Sequence, residues 1–349
     1  MLGALSALGV DTGHGPAEPG ENWAEGRVEP SLVATRGWPI VEDVLASATY
    51  EPGMFRLVGA RGTVDPSIYL DTELAGGILR RALRADVLHH ELRCGSTLNV
   101  NGVDRLDRRI QDDREVLEYA VGHVAWCNGF VSHSAGSSFG RHRDGHDTVV
   151  VQGAGRKHWR VYEPGNDGST QIFSSVLKPG DVLRVPAGWD HEVTGTGEPS
   201  LHWTFGFVVP THASLLAAAI SRAQGDDLQR LTSLSRADLL EQARVRSLGR
   251  RSGANLPALH GRFDLATTEV RWAARLPPVV QVTADGVKIG SLGRRLVGDA
   301  RLAGPVGRLA AGHRHLAADF VDDQATEAVV GQFLMWAVDQ RLVLVEFAR

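Results

Sequence analysis

Cysteine is nearly absent. Cys94 and Cys127 are the only two in 349 residues, too few for a disulfide framework or a cysteine-rich zinc site, and this usage suits a reducing compartment. Lysine is almost as scarce: of 37 basic side chains three are lysines, Lys157, Lys178 and Lys288, so a lysine inside a candidate site needs a reason. Long apolar runs are missing too, falling well short of the ~20 residues that span a bilayer. Residues 1–22 lack the basic start and apolar core of a secretory signal. These absences predict a cytoplasmic protein with no membrane partner. What is present, 43% hydrophobic and 22% charged residues, excludes a collagen-like or wholly disordered chain and is ample for a large core.

Charge is unevenly shared. Residues 211–349 hold 18 basic and 14 acidic side chains, a net of +4, against 19 and 27, a net of −8, in the first 210. The acidic front half favours cationic partners. The positive balance of the tail, Arg294-Arg295 included, is too small to argue for direct contact with nucleic acid.

Four segments follow from the patterning. Residues 1–30, rich in Gly, Pro and Glu, read as a flexible segment. Residues 31–209 open with helical apolar spacing at 39–50 and 74–87, a strand at 96–100 ending on Asn101-Gly102, and an amphipathic helix at 113–121. Short β runs then follow at 148–152, 158–162, 171–176, 181–185 and 201–209, separated by turn residues, as in an antiparallel barrel or jelly roll. Residues 210–258 carry helices at 212–223 and 236–245. Residues 259–349 combine a hairpin around Ala284-Asp285-Gly286 with a helix at 326–340 and a strand at 342–347, which suggests a winged-helix-like module. The expected fold class is therefore α+β.

The chemistry concentrates in FGRHRDGHD, residues 139–147. His142 and Asp144 are one residue apart, so on an extended chain they share a face. His191 follows the Pro186-Ala187-Gly188 turn, 49 residues after His142, within the same β section. Two imidazoles and one carboxylate on a small barrel suit ferrous iron and leave three adjacent coordination positions open. His146 would share the face of His142 and Asp144, and spacing does not choose between the two histidines. Gly145, which lets the chain bend away before His146, favours His142. Lys157 opens the next β run; a lysine turned into a barrel needs an anion, and the distal carboxylate of 2-oxoglutarate supplies one. Asn128 and Thr204 stand on flanking strands as further hydrogen-bonding candidates.

The stretch from Asn128 through GFVSHSAGSSFGR to His142 and Asp144, then VVVQGAGRKHWRVY, then LKPGDVLRVPAGWDH ending at His191, resembles the JmjC-type cupin of the ribosomal oxygenases. STLNVNGVDRL ahead of it resembles that family's lead-in strand and turn. The resemblance implies a double-stranded β-helix (jelly-roll, cupin) catalytic domain, a helical dimerisation region and a winged helix, hence a homodimer. It implies an Fe(II)- and 2-oxoglutarate-dependent hydroxylase consuming dioxygen and acting on a protein or peptide, an Arg or His of a basic ribosomal protein among them. By motif position it makes His142, Asp144 and His191 the metal ligands, Lys157 the 2-oxoglutarate partner, and Asn128 and Thr204 its polar neighbours. His146 and His133 stand where the family commonly has aromatic or apolar residues, and Arg143 flanks the ligands, so these three are candidates for a differing substrate pocket. The alternatives at this level are a 2-oxoglutarate oxygenase acting on a peptide or small cationic metabolite, a metal-binding cupin with non-oxidative activity, and a non-enzymatic scaffold.

Overall fold

The structure, a computed structural model, describes residues 23–47, 53–164, 170–221, 231, 233–247, 249–251, 253, 255–260, 263–283, 286–311, 314–322 and 325–348. The chain forms two compact units. One takes in the described residues up to Leu117 together with Ala125–Val209; the other takes in Glu118–Val124 and Pro210–Arg349.

The first unit begins with strand β1 (Ala24–Arg27) and helices α1 (Pro30–Thr35) and α2 (Trp38–Ser47). Then come β2 (Phe55–Gly59), β3 (Gly62–Thr63), α3 (Pro66–Tyr69), β4 (Leu70–Ala75), β5 (Ile78–Leu83) and α4 (Ala85–Arg93). After β6 (Thr97–Val100) and α5 (Arg108–Val121) the chain is almost all strand: β7 (Ala125–Ser132), β8 (Ala135–Gly136), β9 (His142–Arg143), β10 (Asp147–Ala154) and β11 (Lys157–Tyr162). β12 (Gln171–Leu177), β13 (Asp181–Val185), β14 (Asp190–Thr196) and β15 (Ser200–Phe207) complete it. These pair into an eight-stranded antiparallel sheet ordered β1-β13-β10-β15-β7-β6-β2-β3 and a smaller sheet β12-β11-β14-β8, with β9 also paired to β14.

Alternation decides what each sheet presents. Along β7 the residues 125, 127 and 129 are buried on one side while 126, 128 and 130 are half-buried on the other; β11 buries Lys157, Trp159 and Val161 and turns 158, 160 and 162 outward. Val150, Trp159, Val161, Phe173, Leu183 and Val185 pack together from both sheets. At roughly 25 cal/mol per Å2, burying side chains of this size is the main favourable contribution to folding.

In the second unit, α6 (His212–Ile220) and α7 (Arg236–Arg246) share a cluster of Leu215, Ala219, Leu231, Leu239 and Leu240. Ser235 and Asp238 close a capping box at the start of α7. Beyond them lie β16 (Thr268–Trp272), β17 (Val279–Thr283), β18 (Gly286–Ser291), β19 (Arg294–Gly298), α8 (Ala303–Ala311), β20 (His315–Leu316), α9 (Glu327–Asp339) and β21 (Val343–Phe347). They form two three-stranded sheets, β20-β16-β21 and β17-β18-β19, over a core that includes Trp272, Ile289, Phe320, Phe333 and Val343.

Several expectations are corrected here. The helix read at 74–87 is a hairpin, β4-β5, followed by α4. Gly76 and Gly77 sit at φ +60° and +79°, a left-handed pair that turns the chain back on itself where a helix would have to continue. The segment 1–30 is not loose at its end: Ala24–Arg27 pairs with β13, while residues 1–22 lie outside those described. The helix read at 113–121 starts at Arg108, because the Asp107 carboxylate accepts from the amides of Arg109 and Ile110. The helices expected at 39–50 and 212–223 are described as α2 and α6, and residues 48–50 and 222–223 of those spans lie outside the described residues, as do Ala284 and Asp285 of the expected hairpin turn.

Candidate metal centre

β9 lies beside β14 in antiparallel register, with His142 directly opposite His191 and Arg143 opposite Asp190. The imidazole centroids are 4.4 Å apart. Asp144 follows two residues after His142, and its Oδ2 lies 3.7 Å from His191 Nε2. Among the described residues, His142, Asp144 and His191 are the one group of three whose metal-binding atoms all fall within 4.8 Å of one another.

The rings are aimed from behind. His142 Nδ1 is 3.0 Å from the Gly140 carbonyl and His191 Nδ1 3.3 Å from the Trp189 carbonyl. A carbonyl only accepts, so each Nδ1 donates a proton to it, and each Nε2 is the nitrogen left to face a metal. Burial, reinforced by neighbouring His142, pushes His191 below its usual range, which keeps it a neutral ligand. The Pro186-Ala187-Gly188 turn ties the two ligand segments together: Gly188, at φ +80°, donates its amide to the Asp144 carbonyl at 2.7 Å. Outside the rings, Arg141 and Arg143 both bind Asp190, with Nη2–Oδ2 at 3.0 Å and Nε–Oδ1 at 2.8 Å, and Arg141 also lies 3.7 Å over the Tyr162 ring. Against its desolvation, the Arg143 and Arg141 guanidiniums hold the Asp190 carboxyl below the ordinary range.

These residues open into a cavity of about 300 Å3. Lys157 lies on the same wall and is 2% exposed. Its ammonium donates to the Phe130 carbonyl at 2.9 Å and to His202 Nδ1 at 3.1 Å, both neutral acceptors. Burial pushes Lys157 down to about 7, and burial, together with the lysine's charge, holds His202 well below its usual range. His202 is stacked on Phe130 at 4.9 Å and edge-on to Trp159 at 5.2 Å. A buried cation whose partners are all neutral fits an anionic ligand, and a facing set of two imidazoles and a carboxylate fits a divalent metal; the residues present match both groups.

The remaining sequence candidates divide. Asn128 and Thr204 stand directly opposite each other across β7 and β15, and both line the cavity, although Asn128 Oδ1 already accepts from the Gly102 amide at 3.0 Å. His146 lines the cavity outside the three-residue cluster, its ring 4.9 Å from that of Trp126. Gly206 makes room for this pair, since a Cβ there would come within 2.6 Å of Trp126 and 2.9 Å of His146. His133 and Arg143, expected in a substrate pocket, are not on the cavity wall. His133 is exposed in the turn after β7, and Arg143, between two inward ligands, is turned outward by strand alternation onto Asp190. His202 is a site residue that the sequence reading missed. Its signal was available, because it precedes Thr204 by two residues on one strand and so shares its face.

Three comparisons bear on this geometry. Residues 104–215 match the JmjC domain family model. A bifunctional lysine-specific demethylase and histidyl-hydroxylase NO66 of Drosophila persimilis is 35% identical over 92 residues, 22% of this chain and 13% of that protein. The ribosomal protein uL16 3-hydroxylase of Escherichia coli is 30% identical over 95 residues, 24% of this chain and 25% of that protein. The chain thus spans a quarter or less of the length of these curated relatives. The E. coli ribosomal oxygenase YcfD in complex with cobalt and succinic acid superposes with a TM-score of 0.51 at 16% identity, covering 91% of each chain, which shows a shared fold.

Proposed function

We propose, taking as premise the JmjC domain that residues 104–215 form, that this protein is an Fe(II)- and 2-oxoglutarate-dependent dioxygenase that hydroxylates a protein side chain, an Arg or His of a ribosomal protein. The observation that carries the reading is the convergence of His142, Asp144 and His191 on one wall of a cavity that also buries Lys157. The names of the relatives, a histidyl-hydroxylase and a ribosomal protein hydroxylase, support a polypeptide substrate.

Bound at this centre, ferrous iron supplies the oxygen chemistry that couples decarboxylation of 2-oxoglutarate to hydroxylation. The chain supplies placement. His142 Nε2, His191 Nε2 and the Asp144 carboxylate would hold the metal, and the carbonyls of Gly140 and Trp189 orient both imidazoles by accepting from Nδ1. Lys157 holds the far carboxylate of 2-oxoglutarate. His202, neutral and hydrogen-bonded to that ammonium, keeps it in place, and Asn128 and Thr204 offer polar contacts from the facing strands. Phe130, Val150 and Trp159 line the cavity with apolar surface and exclude water from it. The net negative first 210 residues steer a basic polypeptide toward the unit that holds the site. Residues 210–258 serve dimerisation, residues 259–349 act as a winged-helix-like module, and the protein works in the cytoplasm without binding nucleic acid directly.

The test is anaerobic loading with Fe(II) and 2-oxoglutarate, then oxygen exposure in the presence of cell extract. Succinate formation and a ribosomal peptide heavier by one oxygen atom support the reading. Failure to bind Fe(II) or to form succinate overturns it.

A further inference from the structure

The two ring nitrogens of His202 meet different surroundings. On β15 this residue stands opposite Phe130 of β7 and is 5% exposed. Its ring is stacked on Phe130, with 15° between the planes, and is edge-on to Trp159, contacts that fix how the ring is turned. Nδ1 lies 3.1 Å from the Lys157 ammonium. An ammonium only donates, so Nδ1 accepts, and the single proton of the neutral ring sits on Nε2. Burial and the adjacent lysine charge, which hold His202 well below its usual range, keep a second proton away. Nε2 has no hydrogen-bond partner among the described residues, yet unlike Nε1 of neighbouring Trp159 it is not sealed from solvent space. The space that His202 borders is the cavity of the metal ligands.

A buried donor without an acceptor costs free energy, and a ligand that supplies the acceptor recovers it. The two nitrogens of an imidazole point away from each other, so the acceptor for Nε2 lies across the ring from Lys157. A single carboxylate held by the ammonium is too short to reach both. A ligand that satisfies both groups carries a second oxygen-bearing group a short chain away from the first, which is the layout of 2-oxoglutarate. His202 also senses the metal end of the cavity: the charge of His191 acts on it, and Trp159, in edge contact with His202, is stacked on His191 at 6.0 Å.

Resting on the function given above, we propose that His202 binds the 2-oxo acid directly: Nε2–H donates to an oxygen at its 2-oxo end, while Nδ1 tethers the lysine that takes its distal carboxylate. The ring thereby gauges the spacing between the two ends of the cosubstrate. It is a binding group in its own right as well as a support for Lys157.

The experiment uses the full chain loaded with Co(II) under argon and titrated calorimetrically with 2-oxoglutarate and with 2-oxobutyrate, which has the same 2-oxo end but lacks the distal carboxylate. Two variants separate the nitrogens. His202→Asn keeps an acceptor near the Nδ1 position and loses the far donor, whereas His202→Gln keeps an amide donor near the Nε2 position and loses the lysine tether. 2-Oxobutyrate makes no use of Lys157, so its affinity should fall about 10-fold in His202→Asn, as for one lost hydrogen bond, and stay within about threefold in His202→Gln. A crystal structure of the wild type with Co(II) and 2-oxoglutarate, which needs no variant to fold, should place a ligand oxygen within hydrogen-bond distance of Nε2. Unchanged 2-oxobutyrate affinity in His202→Asn, an equal loss in both variants, no binding of 2-oxobutyrate by the wild type, or a crystallographic Nε2 with no ligand oxygen in reach each overturns the proposal. Wild type that fails to take up Co(II) or 2-oxoglutarate defeats the proposed function, whereas normal uptake of both with any of those outcomes defeats the role of His202 alone.

Discussion

The two ends of the cavity in the first unit manage charge in opposite ways. At the His142, Asp144 and His191 end, the imidazoles are held by backbone carbonyls, and the charged groups around them, Arg141, Arg143 and Asp190, are paired at the rim. At the Lys157 end, a cation is buried among Phe130, Trp159 and His202, with no carboxylate partner among the described residues. The first end is at ease when empty. The second stores an electrostatic penalty that an anion relieves. The same kind of substitution should therefore move stability differently at the two ends while removing activity at both.

Asp144→Ala is the hardest break. Tight Co(II) or Fe(II) binding should disappear and succinate formation fall below detection, with thermal stability nearly unchanged; retained turnover would contradict the metal assignment. At the other end, Lys157→Met should weaken 2-oxoglutarate by on the order of 100-fold, as expected when one partner of a buried charge pair is lost. Calorimetry should show the metal-free variant still taking up Co(II). The same variant should be more stable than wild type. Lys157 titrates near 7 in the folded state, well below an unfolded lysine at 10.5, so burial costs most below pH 7 and the cost fades as pH rises toward 10.5. On that basis the gain is on the order of 4 kcal/mol at pH 6 and shrinks through the alkaline range. Denaturation midpoints of both proteins at pH 6 and pH 9 check the sign.

A pH series sharpens the contrast with a smaller effect. Because the ammonium form binds the carboxylate, wild-type affinity for 2-oxoglutarate should be steady below pH 7 and fall toward tenfold per unit above it. Titration calorimetry at pH 6, 7.5 and 9 tests this, and a flat profile would remove Lys157 from that role. Smaller again, Asp190→Asn should release Arg141 and Arg143 and cost about 10-fold in metal affinity, at the mild end for groups that orient ligands. His146→Ala should leave metal affinity within about twofold, since its ring engages Trp126 and not the ligand cluster.

Much of the site is legible in the order of residues. The H-x-D triplet, the turn before His191 and the lysine at a strand start rest on period-two alternation and turn chemistry, which are local rules, and β13 lies where alternation put it. The family resemblance separates His142 from His146, which spacing leaves open. The misreadings have equally local causes. Apolar spacing at 74–87 fits a helix until Gly76-Gly77 is weighed as a turn, and strand alternation already implies that Arg143 points away from its neighbours. His202 escapes notice because its strand reads as a continuous apolar run, which masks the face it shares with Thr204.

By itself, the amino-acid sequence determined which side chains share a strand face, where the chain turns and which chemical groups are on offer, because those depend on backbone geometry within a few residues. Only the tertiary structure decided that β9 lies beside β14 and that Lys157 meets the Phe130 carbonyl and His202. Those meetings join segments many residues apart, and their register is set by ladder hydrogen bonds and by packing between two sheets, which no local pattern specifies.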